Sequence, residues 1–411
     1  MKNFKLKFIS IILTLIHINI FGLSFHPCII NDTLRYTNVQ LQFLNKISNY
    51  PNDTSFKFDI SGYGFNELPD ISRFTHITEL ILMDNNITKL KIKSKNLKFV
   101  KNIDLRNNNI SRIKLGRTPS LKTIFLDKNP IKKIPFDLIK SNNINAIYAN
   151  NTKITKIPFW FKCRKNIKEL NFKKTNFKLT KKNIRRLRNI EILQIAYGKL
   201  DSLPKEITTL TKLKKLNLAY NSLHSLPSNF DDLKKLEVLI LYSNNFSEIP
   251  KVCFKLSNLK HLDFYYNKIG FIPMYIPKDT QIEELYLSHN NISVVPYSLT
   301  NIRHLKKLYI HHNNLEELPN FFSSFKELHT LDVGFNSLNS VPDLSNNRKL
   351  SEIDIQHNNI LVFPFHLLEL PNIKFLFIGS NPYSMTPIEN KELKAKIELL
   401  IEKGVKVIFK H

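Results

Sequence analysis

A chain of 411 residues with 42% hydrophobic content could hold two or three ordinary domains and is apolar enough to fold. Sixty-one lysines and arginines against 34 acidic residues give a formal charge of +27, which bears on association and not on fold. With nine glycines and three cysteines, the chain has no glycine loop to cradle phosphate and no metal-type cysteine spacing.

The chain opens on residues 1–24. Lys2, Lys5 and Lys7 precede an apolar run from Phe8 to Phe21, and the small residues Gly22 and Ser24 follow. This pattern predicts a signal peptide cleaved after Ser24, and hence a secreted, cell-surface or periplasmic protein. The alternatives are an uncleaved membrane anchor and a cytoplasmic chain. Residues 25–54 read as an N-terminal cap. Asn31, Asp32 and Thr33 make a helix start, while Leu34, Leu41, Phe43, Leu44 and Ile47 line one side.

From 55 to 386 the sequence repeats. Leu213 to Pro227 reads LKKLNLAYNSLHSLP, and the same frame returns at Leu236 and Leu259. Other copies begin at Ile77, Val100, Leu121, Ile144, Ile167, Ile190, Ile282, Leu305, Leu328, Leu350 and Ile373. A degenerate copy with Phe58, Ile60, Phe65, Leu68 and Pro69 precedes them, for about 15 units. A fixed period of this length predicts a solenoid that grows by stacking, not several separate cores. In each unit, alternation such as Lys215 to Ala219 predicts a short strand. The ninth-position asparagine, as in Asn221, supplies hydrogen bonds to a turning backbone. The fifteenth-position proline, as in Pro227, fixes φ and halts the ladder. Thr152, Thr175 and Gly198 replace the asparagine in consecutive units, so residues 144–210 are expected to be the least regular and least stable.

Residues 387–411 read as the C-terminal cap. Thr386, Pro387 and Glu389 make a capping box, and Leu393, Ile397, Leu400 and Ile401 make an apolar helical stripe. Gly404 stops the helix, and residues 405–409 alternate as one last strand. Cys163 and Cys253 stand four units apart, near 19 Å at about 4.8 Å per strand, which is too far for a disulfide. Cys28 has no evident partner.

The frame L-x-x-L-x-L-x-x-N-x-L-x-x-L-P resembles the leucine-rich repeat family in its 23-residue form. It is similar to bacterial secreted or surface repeat proteins and to Ras-pathway leucine-rich scaffolds. The resemblance implies an α/β solenoid, a curved array with a parallel concave β-sheet and helical caps at both ends. It implies a non-catalytic, receptor-like scaffold for a protein, peptide or glycan. The Leu-Pro form and the missing cap disulfides also suit an intracellular signalling scaffold or regulatory subunit of the Ras or phosphatase type.

In that family the concave strands carry the binding side chains. Those positions hold Tyr197, Tyr220, Tyr242, Tyr265, Tyr266, Tyr286, His289, Tyr309, His311, His312, Phe335 and His357. Earlier units show Asp84, Asp104, Arg106, Asn107, Asp127, Lys128, Asn150, Asn151, Lys173 and Lys174 instead. Exposed rings are costly unless they meet a partner, and tyrosine is enriched at binding hot spots. Stacking of the rings on one another is the plainer account. His311 and His312 are neighbours whose side chains should diverge on a strand, and no cysteine or carboxylate set is interleaved. No metal and no cofactor is therefore expected.

Between residues 151 and 190 fourteen lysines and arginines meet one acidic residue, Glu169. Lys173, Lys174, Lys178, Lys181, Lys182, Arg185, Arg186 and Arg188 form this basic patch, and 178–188 is expected to be a helix on the return segment. It reads either as a solvated face or as a contact for an anionic glycan or membrane surface. Without a recognition fold, specific nucleic-acid binding is not expected. No catalytic signature occurs: H-E-x-x-H, G-x-S-x-G, Walker and kinase motifs are all missing. The oligomeric state is not legible.

Overall fold

A computed structural model describes residues 36–50 and 55–409. The signal stretch, the expected helix start at 31–33 and Cys28 lie outside these residues. Among the described residues, sixteen parallel strands stand in chain order in one sheet, from Phe56–Asp59 to Lys406–Ile408. Each unit contributes one strand of about three residues. Lys215, Leu216 and Asn217 face Val238, Leu239 and Ile240 of the next unit, and the same one-unit step recurs along the array. The strand ends at Asn217, short of Ala219, because the chain reaches a left-handed residue at Tyr220 (φ 52°).

The aliphatic positions of the frame point inward. Leu213, Leu216, Leu218 and Leu223 are fully buried and belong to one core running the length of the array. A leucine buried this way contributes roughly 2 kcal/mol. No coil can bury these side chains alone, so each depends on its two neighbours.

Amides tie the coils together. Asn244 Nδ2 donates to the Leu218 carbonyl of the preceding coil at 3.0 Å and to Leu241 and Tyr242 of its own at 3.0 and 3.3 Å. Its Oδ1 accepts the Leu223 N–H of the preceding coil at 3.0 Å. Asn290 repeats the arrangement. Thr152 and Thr175 bond only within their own coils: they donate to the Ala149 and Phe172 carbonyls, each at 2.8 Å, and Thr175 accepts from the Phe177 N–H at 3.4 Å. Gly198 has no side chain, and its N–H goes to Asn221 Oδ1 of the following coil at 2.9 Å. The strands of this region nonetheless keep the common register. The expected irregularity is thus confined to missing side-chain bonds.

The return side follows the proline. Pro135, Pro158, Pro204, Pro250, Pro296, Pro319 and Pro364 each precede a short 3-10 turn. Lysine stands in place of the proline at 91, 114 and 181, and there the chain does something else. Lys89–Ile92 and Arg112–Leu115 pair as a second, two-stranded parallel sheet, with Lys91 opposite Lys114. A proline at either place would lack the N–H that a ladder uses. Around Lys181 a helix forms, but only over Lys181–Ile184, shorter than the 178–188 expected. Thr180 caps it by accepting from the Asn183 N–H.

Both ends carry a longer helix. The first, Asn38–Ser48, begins with a reciprocal capping box between Thr37 and Gln40. Its buried residues are Gln40 and Ile47; Leu41 stays half exposed. Phe43 meets the rings of Phe58, Tyr63 and Phe65, while the Arg73 guanidinium donates to the carbonyls of Ile47, Ser48 and Tyr50. The second helix, Pro387–Glu402, has the Thr386–Glu389 capping box and buries Leu393, Ile397 and Leu400. Ile401 is 54% exposed, since it lies past the edge of that stripe. Gly404 (φ 83°) turns the chain into the last strand, which pairs in parallel with Phe375–Phe377. Cys163 and Cys253 are both free thiols. No helix among the described residues is long and apolar enough to cross a membrane.

Removing one amide should cost more than one hydrogen bond, because buried groups in two coils are left unpaired. Asn244→Ala is expected to lower unfolding stability by about 2–3 kcal/mol in urea titration. By the same logic, amides of residues 144–210 should exchange faster than those of 213–381 in hydrogen-exchange mass spectrometry. Uniform protection would contradict this.

Candidate functional site

The eighth residue of each clear unit, from Asp84 to Ser380, is a non-glycine residue with φ between 51° and 56°. This left-handed conformation costs an L-residue roughly 1–2 kcal/mol. Its N–H reaches the next coil in return: Tyr220 to the Tyr242 carbonyl at 2.8 Å, Tyr266 to Ser288 at 3.0 Å, His312 to Gly334 at 3.1 Å. The turn also swings the eighth side chain to the face occupied by the seventh. The His311 and His312 rings lie 5.2 Å apart and those of Tyr265 and Tyr266 4.8 Å apart. The expected divergence of His311 and His312 is therefore wrong, because His312 is not in extended conformation.

In the later coils this position builds a column of rings. Tyr197 stacks on Tyr220 at 4.0 Å. Tyr266, His289, His312, Phe335 and His357 stack in succession at 4.0–4.2 Å. Ser243 breaks the column, and rings from the seventh position bridge the gap. Tyr242 meets Tyr220 edge-on at 4.8 Å, with Oη to Oη at 3.0 Å, and it stacks on Tyr265 at 5.3 Å. A second column lies within the strands, where Tyr286 stacks on Tyr309 at 4.8 Å and His261 leans on Tyr286. Ten of the twelve expected residues thus form one run of ring contacts, and Tyr286 and Tyr309 form a separate pair. Only Tyr286 and Tyr309 lie within strands; the others stand on the turn that follows. Tyr197, Tyr220, Tyr266 and Phe335 remain 37–46% exposed, so stacking does not exhaust their surface.

Burial disfavours charge on the three middle histidines. Burial lowers His311 to about 4, helped by His312 and His289, and burial also lowers His289 and His312. Burial raises the hydroxyls of Tyr242 and Tyr286, with the neighbouring Tyr220 and Glu284 adding to it. Beside the columns lie carboxylates that the sequence reading passed over. Asp332 is pushed up to about 7 by burial and by Asp354, and Asp354 up to about 6 by burial, against hydrogen bonds from Gln356. They fill the fifth position of their units, and reading that position down the array would have shown them. Formal charge sits at the margin instead, as in Glu284, which bonds His261 at 2.8 Å and Lys307 at 2.9 Å.

The earlier coils show a different surface. Arg106 and Asp104 pair at 2.6 Å, and the Asn107 amide reaches Asp84 at 2.7 Å. The basic patch divides. Lys173 and Lys174 stand on the concave side, where the Lys174 ammonium lies 5.0 Å over the Tyr197 ring. Lys178, Lys181, Lys182, Arg185 and Arg188 are exposed on the return segment, with Lys181 paired to Glu206 at 2.9 Å. Arg186 is half-buried and donates to the Ile157 carbonyl.

A stacked parallel sheet with one ring-lined face defines a solenoid scaffold that offers an extended surface. Family models described as leucine rich repeat match residues 188–246, 281–302 and 304–325. The chain is a leucine-rich repeat protein. It is similar to a leucine-rich repeat protein of Leptospira interrogans, at 25% identity and a TM-score of 0.72 over 89% of this chain and 98% of that one. The plant peptide hormone receptor RGFR1 in complex with RGF2 is 28% identical, with a TM-score of 0.57 over 77% of this chain and 53% of that one. An internalin from Listeria monocytogenes shares the fold at 20% identity and a TM-score of 0.59, over 72% of this chain and 82% of that one. Comparison with curated proteins finds no match.

The raised Asp354 carboxyl makes stability depend on pH. Between 3.8 and about 6 the folded chain holds a proton that the unfolded chain has lost, so its contribution weakens as pH rises and the penalty is full above that range. Asp354→Asn should therefore match wild type near pH 4 and gain on the order of 1–2 kcal/mol at pH 8, read by urea unfolding at both values.

Proposed function

We propose that this chain is a non-catalytic, receptor-like scaffold that binds a peptide or a protein loop along the concave rings from Tyr197 to His357. The observation that carries the reading is the unbroken ring surface, still partly open at Tyr197, Tyr220, Tyr266 and Phe335. A neutral aromatic strip gives contact area at little entropic cost and accepts apolar or cationic side chains. Lys174 over Tyr197 shows the second kind of contact within the chain itself. The peptide-bound receptor among the similar structures supports a peptide as ligand. The N-terminal pattern of residues 1–24 supports export of the scaffold from the cytoplasm. The exposed cations near Lys182 and Arg188 would add contact with an anionic surface.

The test is a random peptide display selection on the wild-type protein, followed by affinity measurement on variants. Tyr220→Ala and Tyr266→Ala should each weaken the selected peptides about 10-fold or more, as hot-spot truncations do. Tyr297→Ala, exposed outside the two ring columns, should leave them unchanged. Peptides indifferent to both concave variants would refute the reading. The mass of the mature N-terminus checks export: it should begin after Ser24, and an intact Met1 would favour the intracellular alternative.

A further inference from the structure

One group on the concave face has a chemistry that stacking leaves unused. His289, His311 and His312 each bring a ligand nitrogen within 4.8 Å of the others. Two adjacent coils supply them, His289 from one and the other two from the next. Left-handed turns at His289 (φ 53°) and His312 (φ 51°) bring their rings to the side of His311. The seventh position of the His289 unit holds the small Ser288, and across it His311 approaches Tyr265 to 5.6 Å between ring centres. The Ser288 hydroxyl is fully buried and has no protein hydrogen-bond partner. Asp332 Oδ2 lies 3.8 Å from His311 Nε2.

We propose that His289, His311 and His312 bind one divalent first-row transition ion of the Zn2+ class, with water in the remaining position. Three imidazoles and an open position are a common donor set for such ions, and imidazole without thiolate suits Zn2+, Cu2+ and Ni2+. Bonds of about 2.0–2.1 Å at tetrahedral angles hold the nitrogens about 3.3 Å apart, so the triad must close by up to about 1.5 Å. All three rings keep some exposure, the His311 side chain 18%, so rotation about their side-chain bonds can supply that movement. Asp332 is the carboxylate placed to steady His311 once its ring turns, the usual role of an outer partner. The ion would give the ring column a directed, charged contact that aromatic faces lack. This site does not depend on the peptide reading, because it is measured on the chain alone.

The experiment is calorimetric titration of the chelator-stripped full chain with Zn2+, beside His289→Gln, His311→Gln, His312→Gln and His357→Gln. One ion per chain should bind, and each triad variant should lose affinity at least about 10-fold. His357→Gln, in the same column but outside the triad, should bind as wild type does. Circular dichroism melting separates loss of binding from loss of fold. With unmodified protein, Cu2+ electron paramagnetic resonance should show hyperfine splitting from directly bound nitrogens. Binding that survives the triad variants, oxygen-only coordination, or no saturable binding up to roughly millimolar Zn2+ would overturn the site.

Discussion

Everything in this molecule depends on one coil holding the next. The strands pair in a single register, and the ninth-position amides bond carbonyls and N–H groups across the same boundary. A coil of 23 residues has no interior of its own, so stability is a property of the boundaries. Thr152 and Thr175 keep the shape of their turns but lose the cross-boundary bond, which leaves local geometry intact and weakens coupling. The two cap helices are the answer to the same constraint at the ends, where one boundary has no further coil.

The ring face inherits its geometry from that stacking. Strand pairing repeats a side chain at about 4.8 Å, and flat rings lean to close the remainder, reaching 4.0 Å between Tyr266 and His289. The left-handed eighth residue gives each coil two outward side chains instead of one. A β-branched residue would fit this position badly, whereas Tyr, His, Phe and Asn occupy it here. The rings thus stand on residues that the fold constrains in backbone conformation but not in chemistry.

How much of this was legible followed from periodicity. The frame of Leu, Asn and Pro named the fold, because each frame residue repeats a single physical task. The concave residues were legible as a set, since they occupy the positions the frame leaves free. Their arrangement was not: nothing in the letters His311-His312 says that the second is left-handed, and strand alternation argued the opposite. The capping box of Thr37 and Gln40 before the Asn38 helix was passed over, since its reciprocal bonds show only in the folded chain. Asp332 and Asp354 were missed because one carboxylate per strand looks like solvated surface until its neighbours bury it.

The strands at Lys89–Ile92 and Arg112–Leu115 pair where lysine replaces the proline of the frame, at 91 and 114. In these two coils strands lie on both flanks, whereas further along 3-10 turns take the second flank. Two changes in the frame thus alter what the return side is made of, while the main sheet keeps its register beside them.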